Sequence, residues 1–456
     1  MVGSSSPGTG ERGAGRTRPL LSMGAPALLG VLLLLLVALP PVGGSFWFDE
    51  VFTANLVTFR LTPERVVERV AREDAHPPGF YLLAWAYARA TGLWGSAVEG
   101  PPPHVEERLR FLSIVTGAVA AGLVGAYGGA AGALALAASP AFLEKAGEAR
   151  MYPLLALFWT LAYVGVLRNR PSLAAWAGLG ALYTHYLAPF FLLPLYGAMA
   201  LRLGPGSLLR LWPLLLYLPW VPVFLNQLKG GMSMALARPD PVLALEPLYR
   251  LGNPEALGLL LLGVVLYGAV KRRKEDGLLL LLPFLAVLLW WAGSLWVNTV
   301  SLRYAGAFLP PMALALGLAV RELSPASRGL LLLGLVLAYV ALLWDRPGPP
   351  GEGYREKAAI LQSLEERHGP FVVLGDERGR LISLRYYWRS ASTLRPITEE
   401  DLKEPPFQKG ILVLLQYPGW KSEDQVLMGR LLDRAREEGR LRILHREGVV
   451  LYLWEK

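Results

Sequence analysis

Two adjacent carboxylates, Asp49 and Glu50, follow the first long apolar segment of the chain, which covers residues 20–39. A carboxylate at the point where a chain leaves a bilayer costs free energy unless water hydrates it, a cation pairs with it, or it takes part in binding or catalysis. One interpretation is a hydrated acid pair at the membrane surface. The other is a general base, because a carboxylate that the aromatic residues 46–48 shield from water can take a proton from a hydroxyl group.

Four other segments carry side chains that could bind an anion or a sugar. A guanidinium group binds phosphate through two parallel hydrogen bonds, and a histidine at a headgroup interface can also donate to phosphate. Simpler interpretations stay open. Arg150 could pair with Glu148 or Asp49, Arg303 could anchor a helix at the interface, and the histidines could be solvated or lie in the core. The candidates are His76, Glu148, Arg150, Tyr152, His185, Tyr186, Arg303 and Tyr304.

The composition indicates a membrane protein. The 456 residues are 53% hydrophobic and 18% charged, whereas soluble domains carry about 25% charged residues. Long stretches such as residues 277–291 and 329–344 nearly lack charge, and runs of about 20 apolar residues span a bilayer as helices. We therefore predict an α-helical polytopic membrane protein.

The net charge of +9 could indicate nucleic-acid binding. However, the basic clusters lie between apolar runs, for example at residues 168–170 and 271–274. Cytoplasmic loops of membrane proteins carry such an excess of Lys and Arg, so we predict no nucleic-acid partner. The chain has no cysteine, which excludes disulfides and thiolate metal sites. Its Arg, Pro, Leu and Gly bias hints at a thermophilic source.

The positions of the basic clusters predict the topology. Residues 1–19 are Gly/Ser-rich and basic, so we expect a disordered cytoplasmic tail and then an uncleaved first helix rather than a signal peptide. Residues 20–345 would hold about eleven spans. Residues 45–95 would form the first extracytoplasmic loop, with juxtamembrane helices, because segment 79–95 is short and rich in aromatics. The predicted location is the inner (plasma) membrane.

Residues 346–456 change character, because charge is dense there and the apolar runs are short. Helical periodicity at residues 352–367 and 423–438 and strand-like runs at 371–374 and 411–415 predict a small soluble α/β domain. A hairpin would end the chain. The glycines of this region do not form a dinucleotide-binding fingerprint. By the predicted topology the domain is extracytoplasmic.

The same topology places the candidate residues, although they are far apart in sequence, at one membrane face. Acids and arginines at an outer interface suit a lipid-phosphate substrate and a hydroxyl acceptor. The missing nucleotide-binding motif agrees with a donor that is not a nucleotide sugar.

Taken in their order along the chain, these motifs resemble those of the polyprenyl-phosphate-dependent glycosyltransferases of fold type C. Their relatives include protein O-mannosyltransferases, like those of glycosyltransferase family 39, and the aminoarabinose transferase of lipid A. The resemblance covers roughly residues 20–345 and not the C-terminal domain. The matching motifs are Trp47-Phe-Asp-Glu50, His76-Pro-Pro-Gly-Phe-Tyr81, Arg110 with Phe111-Leu-Ser, Glu148-Ala-Arg-Met-Tyr152, Thr184-His-Tyr186 and Arg303-Tyr304.

The resemblance implies an inverting, single-displacement transfer from a sugar on a polyprenyl phosphate to a hydroxyl of a protein, lipid or glycan. It implies that Asp49 is the base and that Glu50 orients the acceptor or a charged partner. Arg150 and Arg303 would hold the phosphate, and His76 would assist them in place of the Lys that some relatives have there. Glu148 and Tyr152 would shape the sugar pocket.

Two other functions stay open at this point. A transporter or flippase for lipid-linked glycans would place ionisable residues at the bilayer midplane and show repeat symmetry, and a non-catalytic membrane scaffold would leave Asp49 replaceable. The implied reaction would require no cofactor. Asp49, Glu50 and Glu148 could nevertheless hold Mg²⁺ or Mn²⁺, although the sequence shows no dedicated ligand set.

Overall fold

The computed structural model describes most of the chain. The described residues are 20–38, 43–98, 100–229, 247, 250–251, 255–272, 274–295, 304–344, 351–376, 378–408, 410–417 and 423–455. The predicted N-terminal tail and Arg303 lie outside the described residues.

The part of the chain before residue 345 is helical. In chain order its helices are α1 (Leu20–Ala38), α2 (Phe48–Val57), α3 (Pro63–Glu73), α4 (Gly79–Ala90), α5 (Val105–Ala137), α6 (Pro140–Ala146), α7 (Tyr152–Leu167), α8 (Pro171–Thr184), α9 (Ala188–Leu203), a 3-10 helix (Pro205–Trp220), α10 (Val221–Lys229), α11 (Glu255–Lys271), α12 (Lys274–Ser294), α13 (Ala305–Ala319), a 3-10 turn (Val320–Glu322) and α14 (Pro325–Trp344).

Several of these helices suit a bilayer. Among the described residues, four are long and apolar enough to cross it: Val105–Ala137, Pro205–Lys229, Asp276–Ser294 and Pro325–Trp344. Further apolar helices are shorter, such as Tyr152–Leu167 and Ala188–Leu203. Helix α4 has only 12 residues, fewer than the roughly 20 that a spanning helix needs. These lengths show a helical membrane architecture and leave the predicted total of eleven spans open.

Small residues bring helices α1 and α5 into backbone contact. A Cβ added at Gly125 would lie 2.0 Å from the Pro26 carbonyl oxygen, and one added at Gly30 would lie 2.4 Å from the Ala121 carbonyl oxygen. Such close approach is how membrane helices gain packing energy without a hydrophobic driving force. A side chain at either glycine would force the two helices apart.

Contacts between helix termini define two ends of the bundle. At one end, Arg202 pairs with Asp276 and Arg321 donates to the Tyr127 carbonyl oxygen. Lys145 lies at the other end, beside Glu148. The chain therefore reverses direction between Tyr127 and Lys145. It does so near Gly129, whose φ of 76° lies in the left-handed region that favours glycine.

The C-terminal residues form a small sheet with helices, as the sequence predicts. Its five strands are β1 (Val372–Gly375), β2 (Thr393–Pro396), β3 (Ile411–Gln416), β4 (Leu441–Glu447) and β5 (Val449–Glu455), in the order β2-β1-β3-β5-β4. Strand β1 is parallel to β2 and β3, whereas β5 is antiparallel to β3 and β4. The helices of this part are α15 (Tyr354–His368), α16 (Arg378–Tyr387), α17 (Glu399–Lys403) and α18 (Glu423–Glu437).

The C-terminal part is docked on the start of α2 through buried polar contacts. The Tyr387 hydroxyl donates to Glu106 at 2.8 Å and accepts from the Phe46 backbone N–H at 2.7 Å. Arg355 pairs with the same carboxylate at 2.7 Å, and the Tyr354 backbone N–H donates to the Ser45 hydroxyl at 2.9 Å. These contacts fix the segment that leads into the acidic pair at residues 49 and 50.

Candidate functional site

Asp49 lies in the first turn of α2, and Arg150 reaches it from the loop between α6 and α7. An Arg150 Nη lies 4.0 Å from the Asp49 carboxylate, and the other Nη donates to the Asp49 carbonyl oxygen at 3.1 Å. The Arg150 side chain is 3% exposed and the Asp49 side chain 17%. A carboxylate at the edge of solvent and a buried guanidinium therefore face each other at one end of the bundle.

Glu50 makes different contacts from those of its neighbour. Its carboxylate is fully buried and forms a two-point ion pair with Arg110, at 2.8 Å to Nε and 2.6 Å to Nη2. It also accepts from the backbone N–H groups of Ala149, at 2.7 Å, and Trp47, at 3.3 Å. Glu50 thus joins α2 to α5 and to the Arg150 loop, so its contacts are those of a positioning residue.

Two side-chain contacts fix the position of the loop of residues 147–151. The Ser113 hydroxyl donates to the Arg150 carbonyl oxygen at 3.0 Å, and Lys145 pairs with Glu148 at 2.7 Å. Glu148 therefore pairs with Lys145 and not with Arg150. Burial raises the pKa of Glu148 to about 7, although the nearby Lys145 ammonium lowers it in part.

The raised pKa of Glu148 predicts a specific pH dependence of stability. The unfolded chain loses this proton near pH 4.5, whereas the folded chain keeps it until about pH 7. The folded state therefore binds more protons in that window, and stability falls as pH rises through it, by about 3 kcal/mol in total. Thermal melts across the window should show a shallower slope for Glu148→Gln than for the natural chain, and parallel slopes would contradict this.

A second hydrogen-bonded chain leads away from Arg150. Its Nη1 donates to the Tyr81 hydroxyl at 3.0 Å, Tyr81 donates to Asp74 at 2.5 Å, and the His76 ring lies 3.0 Å from the other Asp74 oxygen. Burial acts to raise the pKa of Asp74, but attraction to His76 and Arg150, with hydrogen bonds from His76 and Tyr81, holds it below its ordinary value. Asp74 therefore stays ionised.

His185 lies among aromatic rings next to this chain. Its ring centroid is 4.9 Å from that of His76, 5.9 Å from that of Tyr152 and 5.0 Å from that of Tyr304. Burial lowers the pKa of His185 far below its usual value, so the ring is neutral. Since its Nδ1 accepts from the Leu187 backbone N–H at 3.0 Å, the ring proton is on Nε2, which can donate.

Three buried polar atoms of this cluster have no hydrogen-bond partner among the described residues: Glu148 Oε2, Arg150 Nε and His185 Nε2. An unpaired buried polar group costs about 1–3 kcal/mol, so each of these atoms calls for an explanation, such as a catalytic role or a bound water, ion or ligand. Two of these atoms can donate to an anion, and the third can accept from a sugar hydroxyl.

The described residues of the cluster include most of those that the sequence singled out. Asp49 contacts Arg150 directly, and Glu50 bonds the backbone N–H of the residue before Arg150. His76 is linked to Arg150 through Asp74 and Tyr81. The rings of Tyr152, His185 and Tyr304 pack together beside His76. Tyr186 lies at the edge, where its hydroxyl bonds Gln227 and accepts from the Trp220 ring N–H. Arg303 lies outside the described residues, so its predicted phosphate contact stays a prediction.

Three residues of the site have contacts that sequence reasoning did not foresee: Asp74, Tyr81 and Lys145. The spacing of Lys145 and Glu148, three residues apart across the end of α6, was an available signal. Asp74 lies two residues before His76 in a loop, a spacing that suits a local ion pair. The contact between Tyr81 and Arg150 depends on the tertiary structure and had no such signal.

The three acids that could have bound a divalent cation do not come together as a ligand set. In the described part of the chain, no group of three His, Cys, Asp or Glu side chains has the geometry to hold a metal ion. Glu50 is bound to Arg110 and Glu148 to Lys145.

Comparison with solved structures identifies the fold. The chain is similar to ArnT from Cupriavidus metallidurans in the apo state, with a TM-score of 0.52 and 15% identity over 95% of this chain and 97% of that chain. The same protein bound to undecaprenyl phosphate matches with a TM-score of 0.51 and 14% identity, over the same shares of both chains. The chain has the type C glycosyltransferase fold.

A weaker similarity is found to the archaeal oligosaccharyltransferase AglB from Archaeoglobus fulgidus, in complex with an inhibitory peptide and a dolichol-phosphate. Its TM-score is 0.49 and its identity 13%, over 82% of this chain and 64% of that chain. No protein-family model and no curated protein matches the sequence. The type C fold is therefore recognised from three-dimensional structure and from short dispersed motifs, not from overall sequence similarity.

Proposed function

We propose that the chain transfers a sugar from a polyprenyl-phosphate donor to a hydroxyl group of a protein, lipid or glycan. The observation that carries this proposal is the buried cluster in which Asp49 faces Arg150, and in which two donors and one acceptor have no partner among the described residues. The fold adds support, because a protein of the same fold has been solved with undecaprenyl phosphate bound.

Asp49 is the proposed base. As the acceptor oxygen attacks the anomeric carbon, its proton passes to the Asp49 carboxylate, and the bond from that carbon to the phosphate oxygen breaks. The phosphate leaves with the bonding electron pair, and Arg150 stabilises its added negative charge. Attack from the side opposite the phosphate inverts the anomeric centre. The reaction requires no cofactor.

The other residues of the cluster would bind and position the donor. The Nε2–H of His185 can donate to a phosphate or sugar oxygen, and Glu148 Oε2 can accept from a sugar hydroxyl. The rings of Tyr152 and Tyr304 offer flat apolar faces beside His185. We assign His76 to the support of His185 and Asp74, because its ring contacts both.

The proposed location is the plasma membrane, with the site and the C-terminal domain on the extracytoplasmic side. Arginines that bond at the opposite end of the bundle support this orientation, because Lys and Arg are enriched on the cytoplasmic side. They are Arg168, Arg202, Arg272 and Arg321. A flippase is less well supported, since the cluster of ionisable groups lies at the ends of helices rather than along them.

Two measurements test the proposed reaction. Mass spectrometry of lipids that co-purify with the chain is expected to detect a polyprenyl phosphate or its glycosylated form. Incubation with a polyprenyl-phosphate sugar is expected to release free polyprenyl phosphate and a glycosylated product. Failure to bind or consume any such donor would reject the proposal.

Removing the unpaired donor of His185 should weaken donor binding. We expect His185→Phe to raise the KM for the polyprenyl-phosphate sugar by about tenfold, since one lost hydrogen bond to a charged group corresponds to at least that factor. The matched control is His104→Phe, because the His104 side chain is 77% exposed. An unchanged donor KM in His185→Phe would remove this residue from the donor site.

A further inference from the structure

A groove lies between the second half of α2 and the C-terminal domain, away from the buried cluster. Its volume is about 580 Å³, within the range of roughly 300–1,000 Å³ of small-molecule sites. Leu381 and Tyr386 are almost fully buried, whereas Ile382 is 57% exposed at the groove. Its lining includes Asn55, Phe59, Ile382, Arg385, Tyr386 and Arg389.

The charged side chains among the described lining residues of this groove are both arginines. Arg385 donates to the Ser390 carbonyl oxygen, and Arg389 donates to the carbonyl oxygens of Ala97 and Val98. Among the described residues neither arginine pairs with a carboxylate, whereas other arginines of this domain do: Arg355, Arg380, Arg395, Arg434 and Arg436. No acid of the described part of the chain lines the groove, although Glu365 accepts from the Ser390 hydroxyl behind it.

The groove also provides aromatic surface. The Arg389 guanidinium lies 5.2 Å from the centre of the Phe59 ring, and Tyr386 forms part of the wall. Guanidinium groups that have no carboxylate partner among the described residues, beside aromatic rings and an amide, suit a ligand that is both anionic and rich in hydroxyl groups.

The groove borders the helix that carries the proposed base. Asn55 is six residues after Asp49 on α2, which corresponds to about 9 Å along the helix axis. The C-terminal domain contacts both halves of this helix, since Arg380 lies over Phe48 at 5.3 Å and α16 lines the groove at the other half. A chain of sugars in the groove could therefore extend along α2 toward Asp49.

We propose that this groove binds the acceptor and that the acceptor is an acidic glycan, carrying carboxylate or phosphate groups. The inference rests on the proposed glycosyltransferase function for its link to Asp49, but binding in the groove can be measured without turnover. The C-terminal domain then supplies acceptor recognition, and the membrane helices supply the donor site.

Calorimetric titration of the full chain in detergent tests the groove directly. The probes are tetragalacturonate, which carries carboxylates, and maltotetraose, which is neutral. We expect tetragalacturonate to bind, to bind less tightly at about 0.5 M salt, and to lose about tenfold in affinity in Arg385→Ala. The matched control is Arg367→Ala, an exposed arginine of α15 outside the groove that donates to a carbonyl oxygen and has no carboxylate partner in the described part of the chain.

Equal affinity for both probes, or unchanged binding in Arg385→Ala, would overturn the proposal. So would a loss of binding to anionic phospholipid vesicles in Arg385→Ala without a loss of tetragalacturonate binding, because the groove would then recognise lipid headgroups. Asp49→Asn distinguishes the proposed transfer reaction from the proposed groove. Because the groove lies away from the buried cluster, this variant should retain tetragalacturonate binding whether or not the chain is a transferase.

Discussion

Asp49→Asn is expected to abolish sugar transfer while leaving the protein folded. The amide keeps the shape of the side chain but cannot take a proton from the acceptor hydroxyl. A positioned general base contributes about 10²–10⁴-fold in rate, so turnover should fall by at least the lower figure. The measurement is product formation from a polyprenyl-phosphate sugar under single-turnover conditions, together with a melt of each variant in detergent.

The matched control for this substitution is Glu107→Gln. Glu107 is an acid near the same end of the bundle, on α5, and its side chain is 34% exposed beside His104. It makes no contact with Arg150 or Asp49 among the described residues. Turnover by Asp49→Asn at the rate of the control would show that the cluster binds a ligand without using this carboxylate as a base.

Arg110→Met is expected to be among the most destabilising single substitutions in the chain. Among the described residues, it leaves the buried Glu50 carboxylate with the backbone N–H groups of Ala149 and Trp47 as its donors. Breaking a fully buried ion pair by removing one partner costs about 3–5 kcal/mol. The melting temperature in detergent should fall sharply, and activity should be lost with it, because Glu50 connects α2 to the Arg150 loop.

The double variant Glu50→Gln with Arg110→Met tests the cause of that loss. Because it removes both charges, we expect it to be more stable than Arg110→Met alone, and a double-mutant cycle gives the coupling energy. A double variant that is less stable by the sum of the two single effects would show that the two side chains act independently. Arg355→Met, which removes a half-exposed partner of Glu106, is a milder reference.

The sequence determined the architecture because the signals involved are local. Apolar length and low charge predict membrane helices, and the short apolar runs between charged helices predicted the small C-terminal sheet. The positions of the basic clusters predicted a topology in which motifs far apart in sequence share one membrane face, and the described candidates do lie at one end of the bundle.

Only the tertiary structure decided which side chains pair. From sequence, Asp49 and Glu50 are neighbours of the same type, but their side chains leave the helix in different directions. One therefore faces Arg150 at the edge of solvent, and the other is enclosed against Arg110, sixty residues away in the chain. The partners of Glu148 and Tyr81 and the groove beside α2 likewise depend on which helices pack together, which no local pattern encodes.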